Sequence, residues 1–283
     1  MVIFKEAAAL KNKIAESRKQ GKTIGFVPTM GALHKGHVSL ITAAEEKCDL
    51  TVCSIFVNPT QFNDTKDFER YPTTIDNDIL LLENNGCDIL FLPAVAEIYP
   101  AGAKPAVHYD LGEIEYILEG KYRPGHFQGV CQVVNILLNI VNPGYLFMGE
   151  KDYQQCLVIK RLVHLISSGA EVVTVGTVRE ETGLAMSSRN LRLSDEQKRN
   201  AAGIFKMLLY IKSNFASLPL QDIEHYATDY LLTNGFHKTD YVSIADADTL
   251  QLVSNGESAK RMVALVAAFI GEVRLIDNML LTR

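Results

Sequence analysis

Cysteine is scarce in this chain of 283 residues, and its five copies are not spaced as pairs. They are odd in number, and no two of them form a Cys-x-x-Cys pattern. Neither a disulfide framework nor a zinc knuckle is therefore indicated. We expect the thiols to be small, buried apolar side chains. The cysteines are Cys48, Cys53, Cys87, Cys131 and Cys156.

The chain also lacks long apolar runs and clusters of basic residues. The longest apolar run, residues 262–270, is much shorter than the roughly 20 residues that a membrane-spanning helix needs. Charged residues such as Lys5 and Glu6 interrupt the amino terminus, where a signal peptide carries its apolar core. The net charge is −5, and the lysines and arginines are scattered. We therefore expect a cytoplasmic protein that binds neither nucleic acid nor a membrane.

An apolar content of 47% allows a sizeable core, and the length fits one large or two ordinary domains. In the first 175 residues helical and strand patterns alternate, which predicts a parallel sheet covered on both faces. The predicted helices are residues 4–20, 37–47, 73–85, 128–141 and 152–167, and the predicted strands are residues 23–28, 50–57, 88–92, 145–148 and 171–175. A segment rich in proline and glycine, residues 93–105, interrupts this pattern.

The pattern changes after residue 178. Two helices are predicted near residues 195–215 and 220–233, followed by strands at 240–244, 261–270 and 273–281. We therefore expect an α/β architecture of two domains. Residues 1–177 should form a Rossmann-like doubly wound parallel sheet, and residues 178–283 should form a smaller α+β domain.

A turn with two glycines and two histidines follows the first predicted strand. Residues 28–37 read Pro-Thr-Met-Gly-Ala-Leu-His-Lys-Gly-His. Gly31 and Gly36 permit a tight turn, and a helix beginning near His37 offers N–H groups and a positive dipole end to an anion. The glycine spacing matches a P-loop, but His37 and Val38 replace its Lys and Ser/Thr. We expect His34 and His37 to face a phosphate; a metal site and two solvated histidines are the alternatives.

Polar residues follow two further predicted strands. Asn58 and Gln61 come where one strand breaks at Pro59, and their amides suit hydroxyl and carboxylate oxygens. The alternative is a simple turn with Gln61 facing water. Lys151 enters a helix start after another strand, where it would neutralise phosphate charge or be solvated, and Gln155 follows one turn later. In open α/β sheets such strand ends are where ligands bind.

Two later segments suit the same chemistry. Residues 186–190 read Met-Ser-Ser-Arg-Asn, and two hydroxyls followed by an arginine suit triphosphate oxygens, although loops of this composition are common. Residues 123–129 precede an apolar helix, in which Val134 either lines a pocket or belongs to the core.

Five segments, in this order, resemble the pantoate–β-alanine ligase family: residues 28–37, 56–62, 123–130, 149–152 and 186–190. The match runs essentially from end to end. It implies a homodimer with a Rossmann-type amino-terminal domain and a smaller carboxyl-terminal lid domain. It also implies that ATP, with Mg²⁺, drives condensation of pantoate with β-alanine through a pantoyl adenylate, giving pantothenate, AMP and pyrophosphate. Another adenylyltransferase and a non-catalytic nucleotide sensor are the competing interpretations.

The resemblance also assigns residues. His34, His37, Lys151 and Arg189 would be catalytic, with His37 the candidate proton donor. Pantoate and β-alanine would contact Asn58, Gln61, Val134 and Gln155. No protein metal ligand is assigned, because Asn77 interrupts the acidic stretch 76–78. The residues expected at ATP are Met30, Gly31, Ala32, Leu33, His34, Lys35, Gly36, His37, Gly149, Glu150, Lys151, Asp152, Val178, Met186, Ser187, Ser188 and Arg189.

Overall fold

A computed structural model describes residues 1–103, 107–253 and 261–282. It confirms the predicted fold class, with one six-stranded parallel sheet and one three-stranded antiparallel sheet. The strands are β1 (Val2–Phe4), β2 (Ile24–Thr29), β3 (Leu50–Ile55), β4 (Ile89–Phe91), β5 (Tyr145–Gly149), β6 (Glu171–Val175), β7 (Lys238–Asp246), β8 (Met262–Ile270) and β9 (Val273–Leu281). No helix of the described chain has the length and apolar character needed to cross a membrane.

The α-helices are α1 (Ala7–Lys19), α2 (Lys35–Lys47), α3 (Thr65–Glu69), α4 (Ile75–Asn84), α5 (Val95–Ile98), α6 (Glu119–Tyr122), α7 (His126–Val141), α8 (Tyr153–Leu165), α9 (Asp195–Ala201), α10 (Gly203–Asn214) and α11 (Leu220–Thr233). Short 3₁₀ helices lie at Pro59–Gln61, Gly112–Glu115, Glu150–Asp152 and Ser188–Arg192.

By its internal contacts the chain divides into two compact units. The first unit is Met1–Glu150 with Gln155–Gly176, and the second is Lys151–Gln154 with Thr177–Arg283. Residues 151–154 thus group with the carboxyl-terminal part of the chain. The predicted boundary after residue 177 had placed them in the amino-terminal domain. The binding roles assigned to residues 1–177 and 178–283 stay predictions.

The sheet of the first unit has the strand order β1-β4-β3-β2-β5-β6, and every strand pair is parallel. The order changes direction between β2 and β5, where Gly25 pairs with Tyr145. The carboxyl ends of strands at such a switch point border the crevice in which open α/β sheets bind ligands. The loop after β2 and residues 149–150 after β5 both begin at this point.

Alternate residues of the central strands enter two separate cores, one on each face of the sheet. Phe26 and Val52 pack in a cluster with residues of α1, α7 and α8. Their chain neighbours Val27 and Cys53 pack in a second cluster with residues of α2 and α4. Because both faces are covered, β3 is buried along its whole length, as expected for a central parallel strand.

The predicted first helix, residues 4–20, is wrong at its start. Phe4 ends a short edge strand, β1, and α1 begins at Ala7. Backbone hydrogen bonds of 2.8 Å, from Val2 N to Asp88 O and from Leu92 N to Phe4 O, hold this strand beside β4. A strand of three residues is too short for its alternation to be visible in the sequence.

Three other predicted boundaries change. The helix expected at 128–141 begins at His126, after Gly125 in a left-handed conformation (φ +77°). The helix expected near 195–215 is two helices that meet at Ala202. The proline- and glycine-rich segment, 93–105, contains α5, while its residues 104 and 105 lie outside the described part of the chain.

The second unit has its own core. Strands β7, β8 and β9 pair antiparallel in that order, and β8, in the middle, is buried except at Phe269. Apolar residues of α10 and α11, such as Leu208 and Ile223, share one cluster with Ile244 and Val266 of the sheet. The expected small α+β arrangement is therefore confirmed.

Candidate active site

The loop after β2 takes the sharp turn that its glycine predicts. Gly31 and Ala32 both have left-handed conformations, with φ +84° and +50°. A Cβ atom added to Gly31 would lie 3.0 Å from Ile55 Cγ2 and 3.1 Å from Asp78 Oδ2, so a side chain does not fit there. The predicted role of Gly31 in a tight turn is confirmed, whereas Gly36 lies inside α2 and makes no such turn.

A buried carboxylate holds this loop. Asp78 of α4 is only 1% exposed. Its oxygens accept hydrogen bonds from Ala32 N at 2.9 Å, Leu33 N at 2.8 Å and Thr74 Oγ1 at 2.9 Å. Sequence reasoning missed this role, because an acid in the first turn of a helix is more often a solvated residue favourable to the helix dipole.

The two histidines cap helix α2. The helix begins at Lys35, not near His37 as expected, and His34 is the N-cap residue. Gly36 N donates to His34 Nδ1 at 3.1 Å, and His34 N donates to His37 Nδ1 at 3.2 Å. This is a capping box built from two imidazoles. The sequence suggested the N–H groups of this helix start for an anion. The N–H of Gly36 is instead bound to the His34 side chain.

The capping hydrogen bonds also fix the chemical form of the rings. A ring nitrogen that accepts a hydrogen bond carries no proton, so in a neutral imidazole the proton lies on the other nitrogen. We infer that His34 and His37 both carry their proton on Nε2 and present it as a hydrogen-bond donor. The rings lie side by side, with centroids 4.1 Å apart. Two neighbouring N–H donors suit the oxygens of one phosphate group.

The structure brings Asn58 and Gln61 together with the loop after β2. Asn58, 1% exposed, donates from Nδ2 to Gln61 Oε1 at 3.1 Å, and Tyr99 donates its hydroxyl to Asn58 Oδ1 at 2.7 Å. Gln61 Nε2 lies 2.9 Å from the sulfur of Met30 in the loop after β2. The chain does turn here, in the 3₁₀ helix Pro59–Gln61, and Gln61 is half-buried and hydrogen-bonded.

The motif at residues 123–130 supports Gln61 from the side of α7. His126 donates from Nδ1 to Gln61 O at 2.8 Å, because its Nε2, 3.0 Å from Arg123 Nη1, must accept from that guanidinium. A Cβ atom at Gly129 would lie 2.2 Å from Thr60 O, so only glycine permits this approach. Sequence reasoning found this motif but could not see what it contacts.

The remaining substrate candidates of the first unit have different surroundings. Val134 is buried in the core cluster of α7. Gln155 is half-buried on α8, and Lys35 is exposed. The contacts of these three residues with substrate stay predictions.

In the second unit the loop expected to hold phosphates is an ordered structure. Residues 178–186 form a narrow hairpin, in which Met186 N donates to Val178 O at 3.0 Å. Ser187 Oγ caps the following 3₁₀ helix by accepting from Arg189 N at 3.3 Å. Asn190 Nδ2 donates to Glu180 Oε1 at 3.1 Å. The loop is thus held in shape by its own polar side chains.

Lys151 lies in the 3₁₀ helix Glu150–Asp152, which follows β5 directly. Its ammonium is 3.4 Å from Asp152 Oδ1, and its side chain is 18% exposed. Asn278 Nδ2 donates to the Lys151 carbonyl oxygen at 2.9 Å. Asn278 is a second residue that sequence reasoning missed, since 127 positions separate the two partners.

Comparison with known proteins decides the family. The sequence model for Pantoate-beta-alanine ligase matches residues 2–280. The chain belongs to the pantoate–β-alanine ligase family. Enzymes of this family condense pantoate with β-alanine, so the chain is a ligase of pantothenate biosynthesis.

Individual relatives agree along the whole length. The pantothenate synthetase of Porphyromonas gingivalis W83 is 43% identical over 279 residues, which cover 98% of both chains. That of Cytophaga hutchinsonii is 41% identical over 283 residues, which cover 99% of both.

Solved structures of the family have the same fold. The pantothenate synthetase of Thermus thermophilus is 38% identical, with a TM-score of 0.90 and 99% of both chains covered. The Francisella tularensis pantoate–β-alanine ligase, solved with β-γ ATP and β-alanine, is also 38% identical, with a TM-score of 0.84. The alignment covers 99% of this chain and 97% of that one.

The two carboxylates of the acidic stretch 76–78 have different surroundings. Asp76 is exposed, and Asp78 is engaged with the loop after β2. Within residues 1–103, 107–253 and 261–282, no group of three or more His, Cys, Asp or Glu side chains is placed to hold a metal ion.

The five cysteines are free thiols, and all except the half-buried Cys48 are buried. Burial raises the pKa of Cys87 and of Cys131 to about 12 in each case. These thiols are therefore not nucleophiles near neutral pH.

Proposed function

We propose that this ligase works in two steps through a pantoyl adenylate. In the first step a carboxylate oxygen of pantoate attacks the α-phosphorus of ATP, and the bond from that phosphorus to the bridging oxygen breaks to release pyrophosphate. In the second step the amine of β-alanine attacks the acyl carbon. The carbon–nitrogen bond forms, AMP leaves and the amine loses a proton, which gives pantothenate.

The observation that carries this proposal is the contact of Gln61 with both Asn58 and Met30 in the first unit. Neutral amides suit the hydroxyl and carboxylate oxygens of pantoate. Met30 is the first residue of the loop that leads from β2 to His34 and His37. A pantoate held by Gln61, whose amide Asn58 fixes, would thus have its carboxylate beside a phosphate bound at His34 and His37. Such positioning would align the pantoate carboxylate for in-line attack on the α-phosphorus, although both reactants are anions.

Charge stabilisation is the second requirement, because negative charge builds on the phosphates as pyrophosphate leaves. We propose that the Nε2–H groups of His34 and His37 donate to phosphate oxygens as neutral groups, and that Lys151 and Arg189 supply positive charge. A neutral His37 therefore stabilises this charge through its Nε2–H hydrogen bond and transfers no proton, because loss of that proton would leave an imidazolate. Mg²⁺ would enter bound to ATP, as part of that substrate.

The relatives support the same substrates. The Francisella tularensis ligase was solved with β-γ ATP and β-alanine, and we propose that this chain binds ATP and β-alanine as well. Val134 and Gln155 complete the proposed pantoate and β-alanine site. A homodimer and a cytoplasmic location also stay proposals.

Pyrophosphate release with each substrate omitted in turn tests the reaction. With ATP, Mg²⁺ and pantoate alone, we expect about one equivalent of pyrophosphate per active site, and continuous turnover only after β-alanine is added. Release that requires a phosphorylated acceptor, such as a nucleotide, in place of pantoate would indicate another adenylyltransferase. An absence of release under all conditions, with ATP still bound, would indicate a nucleotide sensor.

A further inference from the structure

We propose that Asn278 is a positioning residue for Lys151, so that the last strand of the chain sets the place of a catalytic lysine. This inference rests on the proposed function, in which Lys151 stabilises the phosphates of ATP. Both residues belong to the second unit.

The first step concerns the short element that carries Lys151. Glu150–Asp152 is one turn of 3₁₀ helix, which has few hydrogen bonds of its own to fix it. The Lys151 carbonyl oxygen accepts a hydrogen bond of 2.9 Å from Asn278 Nδ2. Tyr153, two residues later, donates its hydroxyl to Ala247 O at 2.8 Å. Residues 151–153 are thus tied to the second unit by side-chain hydrogen bonds.

The second step concerns what fixes Asn278 itself. Asn278 lies in β9 opposite Leu265 of β8, and only 6% of it is exposed. Its backbone N–H donates to Asp277 Oδ1 at 2.8 Å. Arg179 holds the Asp277 carboxylate by two hydrogen bonds, of 2.5 and 3.0 Å. The amide that binds Lys151 therefore projects from an edge strand that pairs with β8, next to a carboxylate that Arg179 holds.

The Arg179–Asp277 pair is itself held firmly. The guanidinium of Arg179 lies over the ring of Phe205, with its central carbon 4.2 Å from the ring centroid, and it also donates to Gly183 O at 3.1 Å. Such stacking and bidentate pairing reduce the freedom of an arginine side chain.

The buried carboxylate of this network is paired with an arginine. Burial raises the pKa of the Asp277 carboxyl, and the neighbouring Arg179 and Lys151 act in the opposite direction. Because Asp277 makes its close ion pair with Arg179, its charge is compensated there rather than by Lys151. The ammonium of Lys151 is instead paired with Asp152 Oδ1, 3.4 Å away.

A purely structural role would favour a different side chain at position 278. Burying an amide costs free energy unless its groups find partners, and an apolar residue would fill a strand position in this core more favourably. The Asn278 amide instead donates a hydrogen bond to the carbonyl oxygen of Lys151, the positively charged residue of the segment 151–153.

The test is a double-mutant cycle on the intact protein with Asn278→Leu and Lys151→Ala, measured as pantoate-dependent pyrophosphate release. If Asn278 acts through Lys151, Asn278→Leu should lower kcat by about 10- to 100-fold, since misplacing a catalytic group by about 1 Å has effects of this size. The KM for pantoate should change less than twofold. In the Lys151→Ala background, Asn278→Leu should cause no further loss beyond twofold.

The matched control is Met279→Leu, which changes the next residue of β9, while thermal unfolding verifies the fold of every variant. If Asn278→Leu does not fold, Asn278→Ala, which adds no bulk, replaces it in the same cycle. Equal losses from the Asn278 change in both backgrounds would overturn the inference, as would an Asn278 variant with normal kcat. A Lys151→Ala enzyme of normal rate would instead overturn the proposed role of Lys151, and the inference with it.

Discussion

Asp78 Oδ1 accepts a hydrogen bond of 2.8 Å from the backbone N–H of Leu33. The other oxygen of the same carboxylate accepts from Ala32, so one buried side chain of α4 holds two consecutive N–H groups of the loop after β2. The loop precedes the capping box of His34 and His37 directly. A change at Asp78 should therefore act on ATP through the position of these imidazoles.

We predict that Asp78→Asn lowers kcat/KM for ATP by about 10- to 100-fold, because one oxygen becomes an NH₂ group that cannot accept a hydrogen bond from the loop. The KM for pantoate should change little. An unpaired buried group also costs about 1–3 kcal/mol of folding free energy, which urea unfolding measures. Asp76→Asn, on the exposed face of the same helix, is the control. Unchanged ATP kinetics in a folded Asp78→Asn enzyme would show that this carboxylate does not position the loop.

His37→Asn separates the cap from the chemistry. The Asn side-chain oxygen can still accept from His34 N, as His37 Nδ1 does, but the Nε2–H donor is lost. We predict a fall in the rate of adenylate formation of roughly 100-fold, since one oriented donor contributes ~3 kcal/mol to the transition state. Thermal stability should stay nearly the same. His225→Asn, at an exposed position on α11, is the control. Stoichiometric zinc in the native enzyme, lost on mutation of His37, would favour the metal-site alternative instead.

Gln61 and Lys151 should differ in which kinetic constant they control. Gln61→Ala removes a neutral amide that binds oxygens of pantoate and should mainly raise the KM for pantoate. Lys151→Ala removes a positive charge from the place where negative charge develops on the phosphates in the transition state. It should mainly lower kcat. Single-turnover rates combined with direct pantoate binding separate the two effects, with Lys160→Ala on the exposed side of α8 as the control. A Lys151→Ala enzyme that turns over normally at saturating substrate would remove that residue from the mechanism.

The buried thiols predict how stability depends on pH. Cys87 and Cys131 have pKa values of about 12 in the folded protein, whereas an unfolded cysteine titrates near ~8.5. Above this pH the unfolded chain releases protons that the folded chain keeps. The stabilisation is therefore complete below about pH 8.5 and is lost as the pH rises toward 12.

For the two thiols together the expected loss between pH 7.5 and 9.5 is ~3 kcal/mol of unfolding free energy. Urea unfolding under reducing conditions measures it. The variant with both Cys87→Ala and Cys131→Ala should be less stable at pH 7.5 but should lose about 3 kcal/mol less over the same interval. Parallel pH dependences of the two proteins would contradict the pKa values.

The sequence indicated the sheet and the glycine turn after β2 because their signals are local. Gly31, His34 and His37 lie in one short segment after a buried strand, and alternating patterns reveal most helices and strands. The residues that hold the site residues in place are far from them in the sequence. Asp78 binds a loop 45 positions away, His126 acts on Gln61 across 65 positions, and Asn278 lies 127 positions from Lys151. Such pairs become visible only when the chain is folded.

The same limit explains the errors in local structure. The edge strand β1 has only three residues, so Phe4 could be assigned to the helix that follows. The start of α2 was placed too late because imidazoles are unusual caps, whereas Ser, Thr, Asp and Asn are the common ones. Ser194, an ordinary N-cap with Gln197 in a capping box, marks the start of α9 correctly.

The most direct test of the account is positional isotope exchange in ATP. Enzyme, Mg²⁺ and ATP labelled with ¹⁸O at the bridge between the α- and β-phosphorus atoms are incubated with pantoate and without β-alanine. If a pantoyl adenylate forms reversibly, the label should scramble into non-bridging positions of the β-phosphate, and only when pantoate is present. Exchange of added labelled pyrophosphate into ATP is the second readout of the same step. An enzyme that makes pantothenate at a normal rate but shows neither pantoate-dependent scrambling nor this exchange would contradict the adenylate route.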